Sequence, residues 1–515
     1  MRLTFMAGAA AVVSLSGAVA IPTSAQAQPG GVAATCTIDQ NSPRELGKIV
    51  GNIEIAKIGK SPADQQKALF AAMKELETKP ERFAKNPAGY NSVLAQILMT
   101  IGKEPAFALA PTTRGAVGFA TNPTEAYDVM VELDKAMKAV VAAAPSCEAE
   151  MTTNRQNEPW LANVKAALDA MGASKMDSAE YFAKRSMLMT SANPYAHYVL
   201  ANAANTKGDK PTAVLHWNHV VDRAGTDSNY ADLKANSQYY AAMSTLEIAN
   251  EKSGAEQADL ARKAAAAMKA ILTATPNHPD AVTLLNGQVD ALTLVKDTAA
   301  IPGVYADVLA KPDAASEYVL LNAGVIASRA NRGADAEKLF EATLTKNPNS
   351  RDALFNLAGR YQGTNQHAKL LQKARTLLTI EPNNQDVYML IAYAAQETRN
   401  AIKPDPRNVA KVNDEKARWL DTLKTYQTAA EKLPVKVDIT GFSTAAASAT
   451  LKLSLEAMLP AGGTYSVTVE FIDREGKVVA TQTESSGPIK QGEKKEVSLK
   501  GEGAGIVGYR YKPVK

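Results

Sequence analysis

Two hydrophobic rhythms run along this chain. Through its middle, apolar residues return every three or four positions, the period of a helix with one buried face. In ADAEKLFEATL, Ala336, Leu339, Phe340 and Leu344 form such a stripe. The rhythm itself recurs. Glu317–Ser350 and Arg351–Asn384 are consecutive stretches of 34 residues, in which Leu320 matches Leu354, Ala323-Gly324 matches Leu357-Ala358, Ala336 matches Leu370 and Pro348 matches Pro382. Each stretch predicts two antiparallel helices. Ala323-Gly324 lets them cross closely, Asn331-Arg332-Gly333 separates them, and Asn347-Pro348-Asn349-Ser350 ends one pair and starts the next. A single pair leaves apolar faces uncovered, and stacking covers them.

Earlier units are more degenerate. Asn193-Pro194 opens a helix pair that turns at Lys207–Lys210. Gln238–Thr275 predicts another, and Asn86-Pro87 extends helical organisation toward the N-terminus. Gln385–Asn400 restarts a first helix, and Glu415–Leu433 supplies a long return helix. After Pro434 the period drops to two. Val435, Val437 and Ile439 alternate with polar residues, as do Leu451, Leu453 and Leu455, and then Tyr465, Val467, Val469 and Phe471. Asp473-Arg474-Glu475-Gly476-Lys477 predicts a hairpin turn. Six short strands are expected in this tail, enough for a small antiparallel β-sandwich.

The 34-residue pattern resembles the tetratricopeptide repeat family. That resemblance implies a multidomain fold: an all-α, TPR-like superhelical solenoid over residues 194–433, clearest at 317–350 and 351–384, followed by an all-β antiparallel sandwich over 434–515. Residues 28–193 would form an N-terminal helical region of degenerate pairs. The FIDREGKVVA segment is similar to the central hairpin of immunoglobulin-like accessory domains of exported bacterial proteins, without the Cys–Trp–Cys pattern of antibody-type domains.

Residues 1–27 carry the pattern of a cleaved signal peptide: Arg2, an apolar Phe5–Ile21 stretch, and Ala25-Gln26-Ala27 before Gln28. Export to a periplasm, or secretion, is therefore expected, with no transmembrane span in the mature chain. Peripheral association with the outer membrane is compatible with this. The two cysteines, Cys36 and Cys147, are candidates for a disulfide in such an oxidising compartment. A net charge of +4 over 515 residues does not mark a nucleic-acid binder. Aromatics make up 6% of the chain and alanine is plentiful, which favours many close helix contacts over bulky aromatic cores.

The chain contains no HExxH, GxSxG, Walker A or dinucleotide motif. His216, His219 and Asp222 share a helical face and could hold a metal, but the same spacing suits an ordinary repeat helix. Met187 and Met189, two apart, do not share a face. No enzyme, cofactor or metal is expected. What the family resemblance implies is a non-catalytic protein–protein interaction scaffold of the bacterial cell envelope. Its partner would be an envelope protein or peptide segment, held in a groove lined by the first helix of each pair. Candidate groove positions are Asn322, Ser328, Asn356, Arg360 and Tyr388; Asn and Arg suit a peptide backbone or carboxylate, and Tyr suits apolar groups. The alternatives are a structural or assembly factor of the envelope, or carbohydrate or small-ligand recognition by the sandwich through Tyr465, Tyr509 and Tyr511.

Overall fold

The computed structural model describes residues 36–515 except 59–60, 79 and 157–159. The signal-peptide expectation lies outside the described residues. The chain divides into two compact units, before and after Lys252–Ser253.

The first unit is helical: α1 (Arg44–Ile58), α2 (Pro62–Glu77), α3 (Pro87–Ile101), α4 (Pro105–Ala108), α5 (Val129–Ala143), α6 (Glu148–Gln156), α7 (Trp160–Gly172), α8 (Met176–Met187), α9 (Pro194–Thr206), α10 (Lys210–Ala224) and α11 (Ala231–Glu251). A two-residue pairing of β1 (Thr112–Thr113) with β2 (Ala126–Tyr127) closes the loop between α4 and α5. The helix starts follow the sequence. Asn86 and Asn193 cap α3 and α9 through their side chains, with a proline at the first helical position of each. Cys36 and Cys147 form a disulfide that joins the N-terminal segment to the start of α6. Arg185 of α8 is buried, pairs with Asp128 through both terminal nitrogens at 2.6 and 3.0 Å, and also donates to the Ala108 carbonyl. That carbonyl lies at the end of α4, where helix oxygens lack partners of their own.

The second unit holds α12 (Gly254–Ala274), α13 (Ala281–Leu294), α14 (Pro302–Ala310), α15 (Glu317–Arg329), α16 (Gly333–Lys346), α17 (Arg351–Gly363), α18 (His367–Ile380), α19 (Gln385–Ala401) and α20 (Val409–Glu431). The pairs α15/α16 and α17/α18 reproduce the 34-residue unit. Gly324 permits the close crossing inside the first pair, because a Cβ there would sit 2.6 Å from the Phe340 ring. The turn between the two helices uses Asn331, left-handed at φ 58°, and Asn365 repeats it at φ 56° one unit later. Gly333 starts α16 instead, and its missing side chain leaves room for the Arg360 guanidinium.

The tail forms β3 (Val435–Ala445), β4 (Ser448–Ala457), β5 (Gly463–Ile472), β6 (Val478–Ile489), β7 (Lys494–Glu502) and β8 (Gly508–Tyr511). They make two antiparallel three-stranded sheets, ordered β3-β4-β7 and β6-β5-β8. The alternating residues of β3, β4 and β5 point into the space between them. Pairing of β3 with β4 slips at a bulge between Ile439 and Gly441. One continuous apolar core runs from the helices around Leu320, Leu354 and Leu370 into sandwich residues such as Val437, Leu453 and Tyr509.

Candidate functional site

The turns that end the helix pairs do more than punctuate them. In Glu381-Pro382-Asn383-Asn384, Asn383 is buried and reads the sandwich like a peptide ladder. Its side-chain nitrogen donates to the carbonyls of Val435 (3.3 Å) and Val514 (2.9 Å). The side-chain oxygen accepts from the Val514 N–H at 2.7 Å, and the backbone carbonyl accepts from the Val437 N–H at 3.1 Å. Glu381, fully buried, accepts from Arg351 Nε (2.7 Å) and the Tyr509 hydroxyl (3.2 Å). One unit earlier, Asn347 donates to the Val507 carbonyl at 3.3 Å. Two equivalent turns therefore clamp the sandwich onto the helix pairs. Burial drives the Tyr509 and Tyr511 phenols well above their ordinary pKa, so both stay neutral: Tyr509 donates to Glu381, and Tyr511 accepts from the Asn383 N–H at 3.2 Å.

This arrangement corrects one expectation. Tyr465, Tyr509 and Tyr511 are all buried, and Tyr509 and Tyr511 bond to Glu381 and to the Asn383 N–H. They offer no surface to a carbohydrate.

Between the clamp and the helices lies a cleft of about 370 Å³, at the lower end of the size range of ligand pockets. Tyr318 and Leu321 of α15, Asp352 of α17, and Ile439 to Phe442 of β3 line it. Glu317 also faces it. This carboxylate is buried and held by long contacts to Asn347 (3.5 Å) and Arg474 (3.4 Å). Burial raises its pKa above the usual carboxylate range, against the pull of Arg474.

The five groove candidates fall on first helices, but they are not alike. Asn322 and Asn356 occupy the same place in successive units. Asn322 Oδ1 is buried without a partner, whereas Asn356 donates to the Asp352 carbonyl of its own helix at 2.7 Å. Ser328 is exposed near the end of α15. Arg360 lies over Gly333 with its Nε buried and unpartnered. Tyr388 donates to the Pro382 carbonyl at 2.8 Å and turns its ring toward Tyr426.

A second set sits on the same first helices. Leu321, Phe355 and Met389 follow one another at intervals of 34 residues on α15, α17 and α19. Phe355 and Met389 are 36% and 46% exposed, and Tyr318, one turn before Leu321, is 44% exposed. The Arg351 guanidinium sits 4.6 Å above the Phe355 ring. The repeat offset was the available signal.

In the first unit, the histidines gather differently from the expected His216, His219 and Asp222 set. His197 of α9 approaches both rings of α10: its Nδ1 is 3.0 Å from His216 Nδ1, and its ring centre is 4.8 Å from that of His219. Burial first, then the two neighbouring histidines, lowers the pKa of His197 to about 4; burial and His219 lower that of His216. Among the described residues, no group of three or more His, Cys, Asp or Glu could hold a metal ion. No described helix is long and apolar enough to cross a membrane.

The geometry defines a class of fold: TPR-like helix pairs joined to a small β-sandwich. No protein-family model matches the chain. No curated protein matches it either. Solved structures similar to it include a thermophilic TPR protein of Thermus thermophilus, with 13% identity over 46% of this chain and 100% of that one, at a TM-score of 0.18. YrrB, described as a TPR protein with an unusual peptide-binding site, has 15% identity over 49% and 96%, at 0.21. The Pseudomonas aeruginosa protein pilF has 12% identity over 52% and 96%, at 0.17. At these identities and TM-scores the likenesses carry no argument about what this chain binds.

Proposed function

We propose that this chain is a non-catalytic scaffold of the bacterial cell envelope that binds a protein segment along the first helices of its repeats. The observation that carries the reading is the row Leu321, Phe355 and Met389. Isolated exposed apolar residues are ordinary on any surface. A row at the repeat interval places one apolar anchor on each successive unit, which suits a ligand lying across several units. Asn322, Ser328, Asn356, Arg360 and Tyr388 are its proposed polar neighbours. Asn322 Oδ1 and Arg360 Nε are shut off from water in the free protein, so a partner engages them through a rotamer change.

Export is supported by the Met1–Gln28 pattern together with a disulfide of the kind oxidising compartments allow. The test is site-specific photocrosslinking in intact bacterial cells. A crosslinking residue at Phe355 or Met389 is expected to capture one partner that the same residue at Arg375, exposed on α18, does not. Equal capture at all three positions, or none, would sink the reading.

A further inference from the structure

Among the described residues β3 is an edge strand, paired on one side with β4. The chain itself already uses the other side. The Asn383 turn accepts from the Val437 N–H and donates to the Val435 carbonyl. Backbone groups on a strand alternate in direction, so the Ile439 N–H, two residues on, points to the same edge. There the turn has ended, and Ile439 lines the open cleft. From Ile439 to Phe442 the edge is four residues long, roughly 13 Å at strand rise; the bulge at Thr440 lies within it, so the groups facing the cleft resume at Phe442 rather than at Gly441. The far end is marked by the Tyr318 hydroxyl, 3.3 Å from Thr444 Oγ1. Tyr318 and Leu321 form the helix wall, and Phe442, half-buried, belongs to the strand wall. A small molecule could meet one group of such an edge. An extended peptide supplies donors and acceptors at strand spacing, as the Asn383 turn does beside it.

We propose that this cleft takes an extended segment of a partner polypeptide, added as a further strand along β3 from Ile439 to Phe442, with an apolar side chain against Tyr318, Leu321 and Phe442. The proposal rests on the scaffold reading for the nature of the partner, and it moves part of the contact from the helices to the sandwich.

The probe is a displayed library of random linear dodecapeptides, selected on the full oxidised chain. A selected peptide is then synthesised with single N-methyl groups at each backbone position. Strand addition predicts at least tenfold weaker binding when alternate positions are methylated. It also predicts slower amide exchange in the 436–444 segment on binding, and several-fold weaker binding to Tyr318→Ala, whose exposed side chain can be removed without unfolding. Binding that tolerates methylation throughout and leaves 436–444 exchanging as before overturns the proposal. If such binding still falls with Phe355→Asp, the repeat-face reading survives that result. If no peptide is recovered at all, both fail.

Discussion

Replacing Asn383 with alanine should detach the sandwich from its helix pairs energetically. The side chain makes three hydrogen bonds, with the carbonyls of Val435 and Val514 and with the Val514 N–H, and it is 2% exposed. Alanine leaves all three backbone groups facing a space too closed for bulk water. Each buried group left without a partner costs about 1–3 kcal/mol, so the loss is about 3 kcal/mol even at the lower bound. For a domain with net stability of about 5–15 kcal/mol that is a large fraction. Pulse proteolysis across a urea series, with the fragments mapped by mass, would follow cleavage within residues 253–515 of the full chain. With a urea slope of about 2 kcal/mol per molar, the midpoint should fall by roughly 1.5 M. Asn383→Asp should be about as damaging, because it keeps the acceptor but sets an oxygen against two carbonyls. Asn356→Ala is the control: it removes a half-exposed bond within one helix and should cost about 0.5 kcal/mol or less. If Asn383→Ala moves the midpoint no further than Asn356→Ala, the clamp described above does not hold the sandwich.

Two further outcomes follow from the first unit. The disulfide joins positions 111 residues apart, and a closed loop of that size is worth about 4–5 kcal/mol in the chain-entropy account. Reduction should therefore lower the melting transition of residues 36–252 by roughly 10 °C and leave that of 253–515 in place, read by calorimetry with and without reductant. The His197–His216 contact should make the first unit sensitive to acid. The folded state resists protonating His197 until about pH 4, while the unfolded chain takes up the proton near the ordinary histidine value. Stability is thus intact at neutral pH and declines as pH falls from about 6.5 toward 4, by about 3 kcal/mol for this group. Arg223 adds to the resistance at His197, where the Ser191 backbone favours the charged form, and Lys184 adds to it at His216. His197→Asn should flatten that decline in urea titrations at pH 7 and pH 4.5; an unchanged slope would refute the assignment.

The helix pairs and strand faces were legible because burial on one side imposes a period, and periods survive substitution. Ala323-Gly324 signals a close crossing in the sequence, and Phe340 meets Gly324 there. What the period does not encode is which turn touches something else. Asn347 and Asn383 look like ordinary helix punctuation in sequence, and their second role depends on a sandwich that begins at Val435. Tyr509 and Tyr511 look like a polar surface until the partners of their hydroxyls, Glu381 and the Asn383 N–H, are in view. Phe355 and Met389 are hidden in the sequence for the opposite reason: an apolar residue on a helix is ordinarily core, and their exposure depends on which face the neighbouring helices leave open. His197 lies outside the single-helix set of His216, His219 and Asp222 because its partner is 19 residues away on another helix.

The two clamped turns also have a mechanical consequence. An array of helix pairs behaves as a spring, bending a little at each joint between neighbours. Here the sandwich spans two adjoining joints, gripping one at Asn347 and the next at Asn383. Flexing either joint would pull buried hydrogen bonds apart, so this stretch should behave as a splinted beam. The first-helix face from α15 to α19 then keeps its curvature with no guest present, and an arriving segment spends little of its binding energy on straightening its host.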